Sequence, residues 1–223
     1  MIEAGTFKFL TGLKKKNNRE WFEANRGAYE LARKNFLAFT TEWLEGLKKL
    51  DPAIARENPD PKRCLSRIYR DIRFSKDKTP YKDHLFASVQ SGGKNSPQAG
   101  YYFQMQPGDK SFIGGGSYMP EAANLFKIRQ EIDYQFKEWK SITGSKTFLK
   151  AFPKGIQSSG VISRPPKNFD AESPAVEYLK RKDFYVFAPV TDAVLQSKTG
   201  IKTLMEASKA VKPLLEFLNH AIE

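Results

Sequence analysis

The chain has 223 residues, 40% of them hydrophobic with 17 Phe, 9 Tyr and 3 Trp, and a net charge of +12. That supply of core residues excludes a disordered composition, and the length predicts one domain spanning residues 1–223 that buries a sizeable core without disulfides or metals. One cysteine, Cys64, excludes an intrachain disulfide and a Cys-rich zinc cluster, while the lack of a signal-peptide pattern or an apolar run near about 18 residues predicts a cytoplasmic chain with no membrane partner.

Residues 6–50 read as helical. Thr6 is placed to cap a short helix carrying Phe7, Phe9, Leu10 and Leu13, and Lys14 to Asn18 interrupt it. Asn17 and Glu20 have capping-box spacing, which predicts a second start. Trp21, Phe22, Tyr29, Phe36, Phe39, Trp43, Leu44 and Leu47 then recur at helical spacing, with Gly27 as a candidate break and Asp51-Pro52 as the end. Residues 57–63 read as a loop from their prolines. Cys64 to Arg70 alternates like a strand, and Leu85 to Gln90 reads as another.

A turn is expected at 91–98. Tyr101 to Gln106 and Ser111 to Tyr118 flank Pro107-Gly108-Asp109-Lys110 and predict a hairpin. Pro120 opens a helix with Ala122, Leu125, Ile128, Ile132, Phe136 and Trp139 on one face. Residues 152–175 read as irregular and Phe184 to Ala188 as a strand. Thr199 to Ile222 reads as a helix that Pro213 kinks or breaks. Strands cluster in the middle with no βαβ alternation. The predicted class is therefore α+β, a central and mostly antiparallel sheet flanked by N-terminal, middle and C-terminal helices.

One segment stands out. Residues 67–82 hold three arginines, three lysines, two aspartates and two tyrosines. Unpaired charges at this density cannot be buried cheaply, so they are solvated, paired as Arg–Asp forks, or arranged around an anion. Arg67, Arg70, Asp71, Arg73, Phe74, Asp77, Lys78 and Tyr81 resemble the hallmark of the DUF2461 family of bacterial and fungal proteins. The resemblance extends over Asn18 to Phe22, Asn25-Arg26, Tyr29, Tyr101-Tyr102, Gly114 to Pro120 and Ile128-Arg129. It implies a domain of this length and brings no activity, cofactor or substrate with it. The family pattern has Pro-Lys-Gly-Phe followed by His-Pro. This chain has Pro166-Lys167-Asn168-Phe169 and then Ser173-Pro174, so any chemistry resting on that histidine is absent.

The candidate ligand-binding residues are Arg67, Arg70, Asp71, Arg73, Asp77, Lys78, Tyr81 and Lys82, with Gly114, Gly115 and Gly116 as a second group. Two readings of the first group stand. In one, Arg70, Arg73 and Lys78 converge on a phosphate or carboxylate and Tyr81 adds a hydroxyl or a stacking face. In the other, Asp71 and Asp77 pair with the arginines and the motif organises the fold. The excess of basic groups tilts the choice toward a small anionic ligand. The glycines offer close backbone approach or a tight packing spot in a strand. Aromatics interleaved with basic residues, Tyr69, Phe74, Tyr81 and Tyr101 to Phe103, also fit a surface that stacks bases, a nucleic-acid reading ranked second.

Asn18, Arg19, Asn25 and Arg26 read as a cap and a helix surface, with a site beside Trp21 as the alternative. Two histidines, His84 and His220, exclude a His-rich metal site. His84 beside Asp83 is a weak candidate base, and Cys64 reads as core. No metal site or cofactor is predicted; Asp71 and Asp77 are the only pair proposed to hold a metal, and only in a phosphoryl-transfer or hydrolytic reading.

Overall fold

The computed structural model describes residues 1–93 and 95–223; Lys94, within the expected turn at 91–98, lies outside the described residues. The elements in chain order begin with α1 (Ala4–Lys15), α2 (Arg19–Ala24), α3 (Arg26–Leu50), α4 (Pro52–Glu57) and α5 (Pro61–Cys64). Next come β1 (Leu85–Val89), β2 (Gly100–Met105), β3 (Ser111–Ser117), α6 (Ala122–Tyr134), α7 (Phe136–Thr143), α8 (Lys146–Ala151) and α9 (Val176–Leu179). The chain ends with β4 (Phe184–Val190), α10 (Asp192–Leu195) and α11 (Gly200–Ile222). The strands form one antiparallel sheet in the order β1-β2-β3-β4, so the α+β class and the flanking helices are as expected. None of the described helices is long and apolar enough to cross a membrane.

The chain packs as two compact units. The first is Met1–Val89, Tyr102–Ile113 and Pro189–Met205; the second is Gln90–Tyr101, Gly114–Ala188 and Glu206–Glu223. In the first, α1 packs on α3, and the buried stripe Phe36, Phe39, Trp43, Leu44 and Leu47 gives α3 its inner face. Phe103 of β2 sits against Phe36 and Phe39 with ring centroids 5.7 and 5.6 Å away. In the second, fully buried Trp139 is surrounded by Tyr178, Phe184 and Phe217 at 5.3 to 5.7 Å.

Several local expectations change. Thr6 is not a cap: it is buried inside α1, and its hydroxyl donates to Asn35 Oδ1 on α3, which also accepts from the Glu3 N–H. The second helix is capped by Asn18, whose Oδ1 accepts from the Trp21 N–H at 2.8 Å. Asn17 is thereby released for another task. The break before α3 falls at Asn25 rather than Gly27. Asp51 ends α3 and caps α4, with Pro52 at its first position, where a missing N–H costs nothing. The 57–63 loop contains the end of α4 and the start of α5. The middle helix divides at Gln135, and α11 runs through Pro213 without ending.

Cys64 to Arg70 is not a regular strand. Cys64 closes α5, and the residues after it make only isolated antiparallel bridges, Leu65 to Ala87 and Tyr69 to Tyr81. Between β2 and β3 the turn centres on Gly108 and Asp109, with φ of 83° and 58°. That is the left-handed geometry that matches strand twist in a tight hairpin. Asp192 at the start of α10 holds this turn, accepting from the N–H groups of Gly108 and Asp109.

Candidate functional site

The basic motif forms a narrow antiparallel arm. Arg70 N–H donates to the Pro80 carbonyl at 2.9 Å and Lys82 N–H to the Ile68 carbonyl at 2.8 Å. These bonds leave the N–H and C=O of Tyr81 facing away from Tyr69. Asn17 takes both: its Nδ2 donates to the Tyr81 carbonyl at 2.9 Å, and its Oδ1 accepts the Tyr81 N–H at 3.1 Å. One carboxamide thus stands in for a missing strand and ties the α1–α2 connection to the arm. The tie is reinforced by Phe22 of α2, which stacks on Tyr81 at 4.1 Å with the rings 13° apart.

At the outer end of the arm the aspartates are paired. The Arg73 guanidinium donates to both Asp71 oxygens, at 3.0 and 2.7 Å, and holds that carboxyl down at about 2. Asp77 is also held at about 2, first by the Thr79 N–H and then by the Arg70 guanidinium and the Thr79 hydroxyl. Arg70 further donates to the Thr79 carbonyl, and Lys78 Nζ donates to the Ile72 carbonyl at 3.0 Å. The loop from 71 to 79 is therefore closed on itself by side chains. Both aspartates are exposed, so these pairs organise the loop without contributing much to global stability.

Where the arm meets α2 there is a cavity of about 400 Å³, lined by Arg19, Glu23, Tyr69, Arg70, Ile72, Pro80 and Tyr81. It gathers residues from two parts of the chain about 50 positions apart, Arg19 and Glu23 from one and Tyr69 to Tyr81 from the other. Its floor is aromatic: Tyr81 is buried, backed by Phe22, and lies 5.4 Å from Tyr69. Burial, with the neighbouring Tyr69 phenol second, pushes the Tyr81 phenol above its ordinary value, so it stays a neutral donor at physiological pH. Glu23 is engaged by Arg26, which donates to both of its oxygens at 2.9 and 2.6 Å. Arg70 is held by Asp77. Arg19 is exposed and has no carboxylate partner among the described residues.

Of the predicted site residues, Arg70 and Tyr81 come together here. Arg73 and Lys78 do not converge with them, because Asp71 and the Ile72 carbonyl hold them at the loop. Arg67 is exposed on the arm, and Lys82 donates to the Ser66 hydroxyl at 3.4 Å. The glycines belong to the second unit and lie within β3. A Cβ at Gly114 would stand 1.8 Å from the Val186 carbonyl oxygen, at Gly115 2.7 Å from that of Gly100, and at Gly116 2.2 Å from that of Phe184. Close strand approach accounts for all three.

Arg19, Glu23 and Tyr69 were missed as a group. The signal for Arg19 was its place beside a cap, but nothing in the spacing says that α2 meets the arm. Of the four residues considered near Trp21, Asn18 caps, Asn25 donates to the Trp21 carbonyl and Arg26 pairs with Glu23. Asp71 and Asp77 are each taken by an arginine, and the described residues contain no cluster of three His, Cys, Asp or Glu. Cys64 is buried. His84 is half-buried against Asp83, and desolvation lowers its pKa despite that partner. Asp83 in turn accepts from Gln106 Nε2 at 2.9 Å, which makes a structural chain of bonds. Ser173, where the family pattern has histidine, is buried; its hydroxyl donates to Asp133 and accepts from the Ala175 N–H at 3.1 Å.

The family model for DUF2461, described as a conserved hypothetical protein, matches residues 5–217. No curated protein and no solved structure matches the chain.

Proposed function

The chain belongs to the DUF2461 family, and from that premise we propose that it binds a small phosphate- or carboxylate-bearing ligand in the cavity between α2 and the basic arm. One observation carries the reading: Arg19, a guanidinium with no carboxylate partner among the described residues, lines the same concavity as Arg70, Tyr69 and Tyr81. A guanidinium presents its donors as a planar fork matched to a carboxylate or phosphate edge. Arg70 is preset for such contact by Asp77, and Tyr69 offers an exposed ring and hydroxyl for the remainder of a ligand. Glu23, which also lines the cavity, is occupied by Arg26.

The test is thermal stability of the purified protein against inorganic phosphate, nucleotides and small carboxylates, at low and moderate salt. A ligand at about 100 times its Kd adds roughly 2.7 kcal/mol. In a chain of this size that raises Tm by about 5–10 °C. Arg19→Ala, an exposed position, should keep the fold and abolish the shift. A wild-type protein that no anion on the panel stabilises, or an Arg19→Ala variant stabilised as much as wild type, removes this reading.

A further inference from the structure

The loop at the end of the arm carries a second surface, separate from the cavity. Phe74 is 96% exposed, the most exposed large hydrophobic side chain among the described residues. An aromatic ring left in water forgoes the stabilisation that burial would give it. Here the exposure is imposed, because the surrounding loop is braced from within. Arg70 reaches back to Asp77 and Thr79, Lys78 to the Ile72 carbonyl, and Arg73 to Asp71. The Arg73 guanidinium also lies 5.8 Å from the Phe74 ring centroid, a cation–π contact that still leaves the ring almost wholly in solvent.

The charge on the arm that carries the ring is one-sided. Arg67, Arg70, Arg73, Lys76, Lys78 and Lys82 stand on the arm against Asp71 and Asp77, and both aspartates are consumed by arginines. Arg67 and Lys76 are exposed. A partner for this surface has to supply negative charge and a flat apolar face at once. The loop's other apolar residue, Ile72, is half-buried and lines the cavity, so the loop offers a single ring and no apolar surface to lay into a bilayer. We infer that the loop 71–78 binds single-stranded nucleic acid, with one base stacked on the open face of Phe74 and the flanking phosphates met by Arg67, Lys76 and the neighbouring cations. Stacking on an aromatic ring is tolerant of base identity, since every base has a π-face, so binding is expected to show weak sequence preference.

The probe is fluorescein-labelled oligothymidylate of about 12 nucleotides, within the usual span of such sites, followed by fluorescence anisotropy. Wild-type protein should bind it at low salt and weaken as salt rises, with log K falling by about 0.7 per phosphate neutralised for each unit of log salt. Phe74→Ala should weaken binding by about tenfold or more at unchanged salt slope, and Phe74→Trp should restore it. Phe74 is in solvent, so neither change threatens the fold; Tyr134→Ala, which removes another exposed aromatic (72% exposed), should bind as wild type. Wild-type protein that ignores the oligonucleotide at low salt overturns the inference. So does Phe74→Ala binding as tightly as wild type. Phe74-dependent capture of phosphatidylcholine–phosphatidylserine vesicles without oligonucleotide binding overturns it in favour of a membrane surface.

Discussion

Replacing Asn17 with alanine should loosen the arm from the helices. The carboxamide makes two bonds to the Tyr81 backbone, at 2.9 and 3.1 Å, and Tyr81 is 3% exposed. Removing both leaves a buried N–H and a buried C=O without partners. At about 1–3 kcal/mol for each orphaned group, eased because half-buried Asn17 lets water approach, the cost is about 2–4 kcal/mol. Asn17→Asp keeps the shape and the acceptor for the Tyr81 N–H but turns the donor into a carboxylate oxygen facing the Tyr81 carbonyl. It should therefore be at least as damaging at neutral pH and recover as the pH falls and the carboxyl regains a proton to donate. Urea unfolding followed by tryptophan fluorescence gives the global change, and amide hydrogen exchange at Tyr81 gives the local one. An Asn17→Ala protein within about 0.5 kcal/mol of wild type, with the Tyr81 amide still protected, would refute the reasoning, since surface changes of no consequence fall in that range.

Asp71 and Asp77 should titrate at about 2 in the folded protein, below their ordinary value of 3.8. Because the folded values are depressed, their contribution to loop order is present above the unfolded value and is lost as pH falls through about 2; carbon NMR of the carboxyls reads this, and Arg73→Ala should return Asp71 toward its ordinary value. Gly114→Ala should prevent β3 from seating and destabilise the protein by more than about 3 kcal/mol, the range of severe overpacking. Gly27→Ala, whose added methyl meets nothing within 4 Å near the start of α3, should be neutral or slightly stabilising in thermal denaturation. Asp183→Asn should cost about 3 kcal/mol or more in urea unfolding, because this fully buried carboxylate accepts from the Ser158 hydroxyl, the Ser159 hydroxyl and N–H and the Met119 N–H, and an amide would turn two donors toward those donors.

The helices and strands were legible where side chains repeat with the period of the element. Phe36, Phe39, Trp43 and Leu47 mark the inner face of α3, and the turn residues Gly108 and Asp109 mark the β2–β3 hairpin. The boundaries at Asn17, Asn18 and Asn25 were harder, because the adjacent Asn17 and Asn18 compete for one cap and the sequence does not say which carboxamide has a distant use. Asn17 has one, 64 residues away at Tyr81. Cys64 to Arg70 alternates as a strand would, yet it pairs only through isolated bridges at Leu65 and Tyr69, and beyond its partner Tyr81 the outer edge is taken by Asn17. The basic motif was legible as a unit from its charge density. Its division into a closed loop and a cavity wall was not, since Arg70 and Arg73 look alike in sequence and differ only in which aspartate each one reaches. The contribution of Arg19 depends on a long-range meeting of α2 with the arm that no local pattern encodes.

The glycines of β3 have a consequence for how the chain folds. Gly114, Gly115 and Gly116 bring no side chain to stabilise an extended segment, and each gives up more backbone freedom on ordering than another residue would. Yet all three are shaped to the carbonyls of Gly100, Phe184 and Val186. This half of the strand has little reason to extend until both neighbours are present, and its pairing requires Phe184 to Val186 to arrive from about 70 residues further along the chain. A long loop must close before those contacts stabilise anything, and such closures slow folding. We expect the glycine strand to be among the last pieces of the sheet to lock, a slot that remains open until β4 closes it.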